Sequence, residues 1–257
     1  MPRMLTSDAI SGWMRERLAA TGARGFVVGL SGGIDSAVVG RLAQLAAPTA
    51  TLGVLLPCHS DPQDEEDAAL VAATFSLPTV RIDLSDSYDV LAADAQGAVR
   101  HAPTPIGDLP PAEPHRGRVP LANIKPRLRM TTLYFVANSL NYLVAGSGNR
   151  SELEIGYFTK HGDGGVDLLP IGHLLKSEVR TLAKELRIPQ AIIDRTPSAG
   201  LWLGQSDEEE MGFSYVELER YLEEGPESVA PAIALRIDRL RRGSDHKREM
   251  PPIPEVS

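Results

Sequence analysis

Four short apolar runs of the chain lack the polar alternation of a half-exposed strand. They read FVVGL (26–30), TLGVLLP (51–57), PTVRIDL (78–84) and NYLVAG (141–146). Runs of this kind are typical of strands in a parallel sheet that helices cover on both faces. We therefore predict a parallel sheet built from these segments.

Helical periodicity fills the segments between and after the predicted strands. An opening helix is predicted from about Ser7, with Ile10, Trp13 and Met14 on one face. Further helices are predicted near 35–46, 63–75, 85–98, 123–139, 174–187, 207–222 and 227–242. The strand–helix alternation predicts a doubly wound, Rossmann-like α/β fold with helices on both faces of the sheet.

Two proline-rich segments interrupt this pattern. Residues 101–120 contain too much proline for regular structure, and we expect a linker there, with a lid or an interface loop as alternatives. Residues 250–257 are expected to form a flexible tail. A chain of 257 residues can bury a full core, and we predict a single domain over 1–257.

Composition and charge narrow the classes of function. The formal net charge of −8 argues against a nucleic-acid partner, because phosphate binding draws on clustered lysine and arginine. No stretch of about 18 apolar residues indicates a membrane span. The beginning of the chain lacks the apolar core of a signal peptide, and the single cysteine, Cys58, fits a reducing compartment. A cytoplasmic location is expected.

The turn SGGIDS after the first predicted strand carries the candidate chemistry. Gly32 and Gly33 let a ligand approach the main chain. The N–H groups of the turn, the hydroxyls of Ser31 and Ser36 and the helix start would together form an anion site. Asp35 beside a bound polyphosphate is repulsive unless a divalent cation lies between them, so we interpret Asp35 as a Mg²⁺ ligand.

Two other interpretations of this turn stay open at this point. An ordinary strand-to-helix turn would place Asp35 favourably on the helix dipole without any ligand. Residues 29–33 also fit the G-x-S-x-G nucleophile elbow of hydrolases, although no HGG-type oxyanion segment accompanies it. A Walker P-loop does not fit, because no Gly-Lys-Ser/Thr follows.

SGGIDS resembles the pyrophosphate-binding loop of the N-type ATP pyrophosphatases (adenine nucleotide alpha-hydrolase-like fold), which activate a carboxylate or carbonyl oxygen with ATP. Five downstream segments narrow the resemblance. They are NIKPRLRMTTLYFVAN, LVAGSGNRSELEIGYFTKHGDGGVDLLPI, LLKSEVRTLAKEL, PSAGLWLGQSDEEEMGFSY and HKR. Together, from about residue 10 to residue 251, the chain resembles ammonia-dependent NAD synthetase.

This resemblance implies the last step of NAD biosynthesis. The enzyme would adenylate the nicotinate carboxylate of nicotinic acid adenine dinucleotide (deamido-NAD⁺), and ammonia would then displace AMP. ATP and Mg²⁺ are the implied cofactors, deamido-NAD⁺ and ammonia the small-molecule substrates, and a homodimer the implied assembly. Glutamine-dependent relatives carry an extra nitrilase-like domain for which this chain has no room, so free ammonia, or ammonia from a separate partner, is expected.

The resemblance also assigns roles to individual residues. Asp35 and Glu152 are the implied metal ligands; Asp163 is implied to hold or deprotonate ammonium, and Lys176 to contact the ATP phosphates. ATP contacts are expected from Gly29, Leu30, Ser31, Gly32, Gly33, Ile34, Asp35, Ser36, Ser147, Lys176 and Ser198. Contacts to deamido-NAD⁺ are expected from Arg127, Arg129, Lys160, Asp167, His246 and Lys247.

Four positions depart from the family's pattern. Pro126 replaces a usual Ala, and Arg150, His161 and His173 replace a usual Lys, Tyr and Asp. Pro126 is tolerated in the first turn of a helix with Asn123 as N-cap, where its missing N–H costs little. His161 lies beside the implied ammonia site, so the resemblance does not fix the fine geometry of that site.

Other signals and rival functions weigh less. The acidic run 207–210 is predicted to be a solvated helix start with a capping box from Ser206 to Glu209. Cys58 is predicted to be a small buried residue. A pyrophosphatase acting on tRNA is opposed by the acidic charge and the absence of Cys-x-x-Cys. A non-catalytic nucleotide-binding module is the rival from another class.

Overall fold

Four parallel strands form one sheet in the order β3-β2-β1-β4. The computed structural model describes residues 6–103, 114–198, 200–202 and 204–254. The strands are β1 (Phe26–Gly29), β2 (Thr51–Leu55), β3 (Thr79–Arg81) and β4 (Leu143–Val144). Each lies within a predicted apolar run and is shorter than it, because the outer residues of each run fall beyond the paired register.

The described helices surround this sheet. They are α1 (Ser7–Thr21), α2 (Ile34–Ala46), α3 (Pro62–Phe75), α4 (Ser85–Arg100), α5 (Pro114–Ala122), α6 (Ile124–Leu140), α7 (Arg150–Ile155), α8 (Lys176–Glu185), α9 (Gln190–Ile193), α10 (Asp207–Met211), α11 (Tyr215–Glu224), a 3₁₀ turn (Pro226–Ser228), α12 (Pro231–Gly243) and α13 (Asp245–Arg248). Among the described residues, no helix combines the length and the apolar character that a membrane crossing requires.

Apolar side chains cover both faces of the sheet, which confirms the predicted doubly wound α/β class. Phe26 and Val28 of β1 point into a core built with α1, α2 and α8, whereas Val27 points into the core under α4 and α6. All three side chains are at most 1% exposed. A further apolar cluster joins α7, α10, α11 and α12.

The sheet order places a switch point between β1 and β4. The chain leaves β1 for α2 and β2 on one side, and it returns on the other side to β4. Ligands in open α/β sheets bind where the strand order reverses, beyond the carboxyl ends of the strands. Residues 30–36 and 145–152 follow β1 and β4 at this point.

The predicted helix over 207–222 is wrong, because it is two helices. Gly212 ends α10 with a positive φ of 79°, a conformation that favours glycine. Ser214 then begins α11, and its side chain accepts a hydrogen bond from the N–H of Glu217 in a reciprocal capping box. The predicted box from Ser206 to Glu209 is absent, since Ser206 makes no side-chain cap.

The proline-rich segment is also more regular than predicted. Residues 114–122 form α5, with Pro114 at its first position, where no N–H partner is needed, and Pro120 inside it. Residues 104–113 of that segment, and 255–257 of the predicted tail, lie outside the described residues. Asn123 does precede α6, but its side chain accepts from the hydroxyl of Thr159 at 2.7 Å instead of capping the helix.

Gly25, directly before β1, lies where the chain is closely packed. A methyl group there would lie 2.1 Å from the carbonyl oxygen of Ala50 and 2.7 Å from the ring of Tyr142. We expect Gly25→Ala to lower the free energy of unfolding by about 1–3 kcal/mol, measured by urea denaturation.

Gly97→Ala is the matched control for this substitution. A methyl group at Gly97, inside α4, meets nothing within 4 Å, so the better helix propensity of alanine should raise stability by up to about 1 kcal/mol. Equal effects of both substitutions would contradict the close approach at Gly25.

Candidate active site

A cavity of about 420 Å³ opens beyond the carboxyl ends of β1 and β4, at the switch point. Its size is in the range of small-molecule sites. Most of the predicted site residues line it. They are Gly29, Leu30, Ser31, Gly33, Ile34, Asp35, Ser36, Arg129, Ser147, Glu152, Asp163, Lys176, Ser198 and Lys247. The predicted residues that do not line it are Gly32, Arg127, Lys160, Asp167 and His246.

The turn between β1 and α2 forms one wall of the cavity. Gly32 has a φ of 81° and is buried, and a side chain there would lie 2.5 Å from the carbonyl oxygen of Asp64. Ser36 closes the turn, because its hydroxyl accepts from the N–H of Ser31 and donates to the carbonyl of Gly33 at 2.9 Å. The turn is therefore shaped in advance, with the start of α2 at the cavity wall.

Three charged side chains meet at this wall. Lys176 Nζ lies 2.5 Å from Asp35 Oδ2 and 3.2 Å from Glu152 Oε1. The lysine side chain is 3% exposed, and the carboxylates are 18% and 16% exposed. Asn149 supports both acids: its amide donates to Asp35 Oδ1, and its side chain caps α7 in a capping box with Glu152. Three helix starts are thus joined by one ammonium group.

Burial and charge shift the pKa values of this group. Desolvation, opposed by Lys176 and reinforced by Asp35, raises the pKa of Glu152 to about 7. Desolvation also disfavours the charged form of Lys176, but Asp35 and Glu152 outweigh it and raise the pKa of the lysine above its ordinary value. The ammonium therefore stays charged, and Glu152 gains a proton more readily than a solvated glutamate.

The donor set around Lys176 fits a divalent cation. Two carboxylate oxygens converge on one point in space, and carboxylates are preferred ligands of Mg²⁺. Within the residues that the structure describes, no cluster of three or more His, Cys, Asp or Glu side chains forms a metal site. A cation at this point would therefore complete its coordination with water or with oxygens of a phosphorylated ligand.

The acidic run 207–210 is not simply a solvated helix start, as its sequence suggested. Asp207 is 3% exposed and accepts a hydrogen bond from the hydroxyl of Tyr215 at 2.9 Å, and the hydroxyl of Tyr157 lies 3.2 Å from its other oxygen. The other members of the run stay exposed, although Glu210 still borders the cavity. The residues next to Asp207 in the sequence do not indicate that it is buried, because the tyrosines that bury it come from α11 and from the loop after α7.

An arginine clamp that the sequence did not indicate lies beside Gly32. Arg195 pairs with Asp64 at 2.5 Å and with Asp67 at 2.7 Å, both on α3, and it lines the cavity. Arg195 thereby links the segment that carries Ser198 to α3, the helix that packs against the 31–36 turn. Its partners stand 128 or more residues earlier in the chain, so spacing carries no trace of the pairing.

The residues predicted to contact deamido-NAD⁺ divide into two groups. Arg129 lines the cavity and donates to the carbonyl of Leu56 and to Ser60. Lys247 also lines it, with Nζ 2.7 Å from the carbonyl oxygens of Gly156 and Phe158.

The second group makes contacts outside the cavity. Arg127 donates to the carbonyl of Lys160, and Lys160 in turn donates to the carbonyl of His246. Asp167 accepts from the hydroxyl of Tyr134 and from the N–H of Val144. These contacts hold α6, β4 and α13 to the loop after α7 near the cavity mouth.

Asp163 lines the cavity from the glycine-rich loop 158–165, which is far in sequence from the 31–36 turn. Its carboxylate accepts the N–H of Thr159 at 2.9 Å and is open to solvent through the cavity. Pro126 lies in the first turn of α6, as predicted, and it is buried there and backs this loop. His161 is exposed with a φ of 58°, and Arg150 pairs with Glu223 at 2.7 Å.

The fold and cavity define a doubly wound α/β protein with a ligand site at its switch point. The sequence matches the model of the NAD synthase family over residues 6–251. It is 48% identical over 248 residues to the NH(3)-dependent NAD(+) synthetase of Carboxydothermus hydrogenoformans, covering 96% of each chain. The chain therefore belongs to the NAD synthase family, a family of ligases, and the membership predicted from the sequence is confirmed.

Solved structures show the same relationship. The structure of an NMN synthetase from Francisella tularensis has a TM-score of 0.86 and 36% identity, covering 97% of each chain. The NH3-dependent NAD synthetase from Campylobacter jejuni has a TM-score of 0.76 and 28% identity, also covering 97% of each chain. The similarity extends over the whole fold.

The central ion pair makes stability depend on pH. A glutamate whose pKa is raised from 4.5 to about 7 in the folded protein loses its contribution to stability as pH rises through that interval. Without Lys176, two carboxylates would share the site. We expect Lys176→Met to lower the free energy of unfolding by about 3–5 kcal/mol at pH 8. The loss should shrink near pH 5, where Glu152 is protonated.

Urea denaturation at both pH values measures this difference. Lys184→Met, which changes an exposed lysine of the same helix, is the control and should be nearly neutral at either pH. A loss for Lys176→Met that is equal at pH 8 and pH 5 would show that the carboxylates do not repel each other.

Proposed function

We propose that this protein catalyses the ATP- and Mg²⁺-dependent amidation of deamido-NAD⁺ with ammonia, which yields NAD⁺, AMP and pyrophosphate through an acyl-adenylate. The observation that carries the proposal is the convergence of Asp35 and Glu152 on one cation position beside the 31–36 turn. Family membership and the curated relative from Carboxydothermus hydrogenoformans support the substrate and the nitrogen donor.

The turn and Lys176 serve the first half of the reaction. The N–H groups at the start of α2 and the hydroxyls near them bind the phosphate chain of ATP. Mg²⁺ held by Asp35 and Glu152 would neutralise phosphate charge and favour the loss of pyrophosphate. Lys176, which holds its proton firmly, exchanges its carboxylate partners for phosphate oxygens and stabilises the charge of the leaving group.

Asp163 serves the second half of the reaction. Its carboxylate faces the cavity, and it can pair with ammonium and take up a proton as the nitrogen attacks the acyl carbon. The bond between the acyl carbon and the bridging oxygen then breaks, and AMP leaves with that oxygen, which came from the nicotinate carboxylate. Arg129 and Lys247 are placed to bind the anionic nicotinate substrate where they line the cavity, while Arg127, Lys160, Asp167 and His246 would contact its distal part at the mouth.

A mixture of protein, ATP, Mg²⁺, deamido-NAD⁺ and ammonium tests this function. We expect NAD⁺ and AMP in equal amounts, and a loss of about 100-fold or more for Asp35→Asn and Glu152→Gln, because each removes a carboxylate from the cation site. Glu16→Gln, at an exposed position of α1, is the control and should retain wild-type activity. Robust NAD⁺ formation by both site variants would falsify the cation assignment.

One observation supports nicotinic acid mononucleotide as a second substrate. The Francisella tularensis structure bears the name NMN synthetase and is more similar to this chain than the Campylobacter jejuni structure in both identity and TM-score. The same chemistry on nicotinic acid mononucleotide would yield nicotinamide mononucleotide. The ratio of kcat/KM for the two substrates decides between them, and we expect deamido-NAD⁺ to be preferred.

We further propose that the protein is a homodimer through α4 and α6. Exposed apolar side chains occupy these neighbouring helices: Phe135 is 71% exposed, Val99 70% and Val90 64%. Large apolar side chains exposed on neighbouring helices support an interaction surface there. The same helix α6 carries Arg127 and Arg129, so dimerisation would place the substrate site near the subunit boundary.

Sedimentation equilibrium tests the assembly. We expect the wild type to sediment with twice the mass of the chain and Phe135→Glu to weaken the dimer by about tenfold or more, since a charge would enter an apolar contact. Val216→Glu, which changes a side chain that is 65% exposed on α11, should leave the mass unchanged. A monomeric wild type would refute the proposed dimer.

A further inference from the structure

Tyr215 and Asp207 form a buried pair next to the candidate metal ligand Glu152. The Tyr215 hydroxyl donates to Asp207 Oδ2 at 2.9 Å and lies 3.4 Å from Glu152 Oε1. The two residues are 4% and 3% exposed. Neither residue takes part in the reaction steps proposed above. Burying a carboxylate costs free energy unless hydrogen bonds or opposite charges compensate it, so the surroundings of Asp207 call for an explanation.

Tyr215 contacts both partners of the central ion pair. Its ring centroid lies 5.2 Å from Lys176 Nζ, within the distance at which an aromatic face attracts an ammonium. Its hydroxyl oxygen faces the same oxygen of Glu152 that pairs with Lys176. A shift of this one side chain would therefore change the surroundings of the lysine and of the glutamate together.

Asp207 fixes the orientation of Tyr215. A hydroxyl has one proton to donate, and the shorter distance directs that proton to Asp207 rather than to Glu152. The hydroxyl of Tyr157 lies 3.2 Å from the other carboxylate oxygen of Asp207, but it is closer to Glu210 Oε2, at 2.8 Å, and donates there by the same rule. Asp207 therefore holds the tyrosine through Oδ2 alone.

We propose that Asp207 and Tyr215 are positioning residues, which hold Glu152 and Lys176 in the arrangement that binding of a metal–nucleotide complex requires. This inference rests on the proposed metal role of Asp35 and Glu152. Side chains that orient metal ligands from behind typically change metal affinity by about 10–100-fold when they are removed. Tyr215→Phe is the sharpest test, because it keeps the ring and removes only the hydroxyl.

Calorimetric titration of the full chain with the Mn²⁺–ATP complex measures the effect. We expect the dissociation constant to rise about tenfold for Tyr215→Phe and for Asp207→Asn, with the number of binding sites unchanged. Titration with ATP in the presence of a chelator should give nearly the same affinity for these variants and the wild type. The metal-dependent part of binding is then what the pair controls.

Tyr221→Phe is the matched control for the loss of a buried hydroxyl. Tyr221 lies on the same helix α11 and donates to Asp238 at 2.5 Å, but it does not line the described cavity. This variant should bind Mn²⁺–ATP as the wild type does. A general loss of packing would instead lower the number of sites or weaken metal-free ATP as well, and that result would overturn the positioning role.

Asp35→Asn separates this inference from the proposed function. Wild-type affinity of Asp35→Asn for Mn²⁺–ATP would remove the metal site and the inference with it. Loss of metal-dependent binding by Asp35→Asn, together with wild-type binding by Tyr215→Phe and Asp207→Asn, would overturn the positioning role alone.

Discussion

The candidate site depends on one ammonium group held between two carboxylates. Lys176 is almost completely buried, and a buried charge is tolerated only when opposite charges neutralise it. Its partners come from the first turns of α2 and α7, where the helix dipole favours an anion, whereas the lysine stands at the first position of α8, where the dipole disfavours a cation. The ion pairs offset that cost and tie three helix starts to one point.

Under the proposed function, the same arrangement would serve two cations in turn. Lys176 supplies the positive charge between the two carboxylates. A bound metal–nucleotide complex would supply that charge instead and would free the ammonium for the phosphates. Neighbouring side chains hold the two carboxylates in place: Asn149 donates to Asp35, and Tyr215, which donates to Asp207, lies against Glu152.

Hydrogen bonds at the cavity mouth attach the C-terminal segment to the rest of the site. Lys247 binds the carbonyl groups of Gly156 and Phe158, and Lys160 binds the carbonyl of His246, so α13 is attached to the loop after α7 by two lysines. Carbonyl groups are weaker partners for an ammonium than a phosphate or carboxylate. An anionic substrate at the mouth could therefore replace these bonds without leaving a buried charge unpaired.

The apolar runs and the SGGIDS turn determined the sheet, the class of fold and the position of the glycine-rich turn, because strand burial and turn conformation are set by neighbouring residues. The predicted strands were too long, and the single helix at 207–222 was wrong, since Gly212 and Ser214 end one helix and begin another. The tertiary structure alone decided that Asp207 is buried, that Arg195 clamps α3, and that Arg129 lines the cavity while Arg127 does not. Those outcomes depend on side chains that meet from distant parts of the chain, and local spacing carries no record of them.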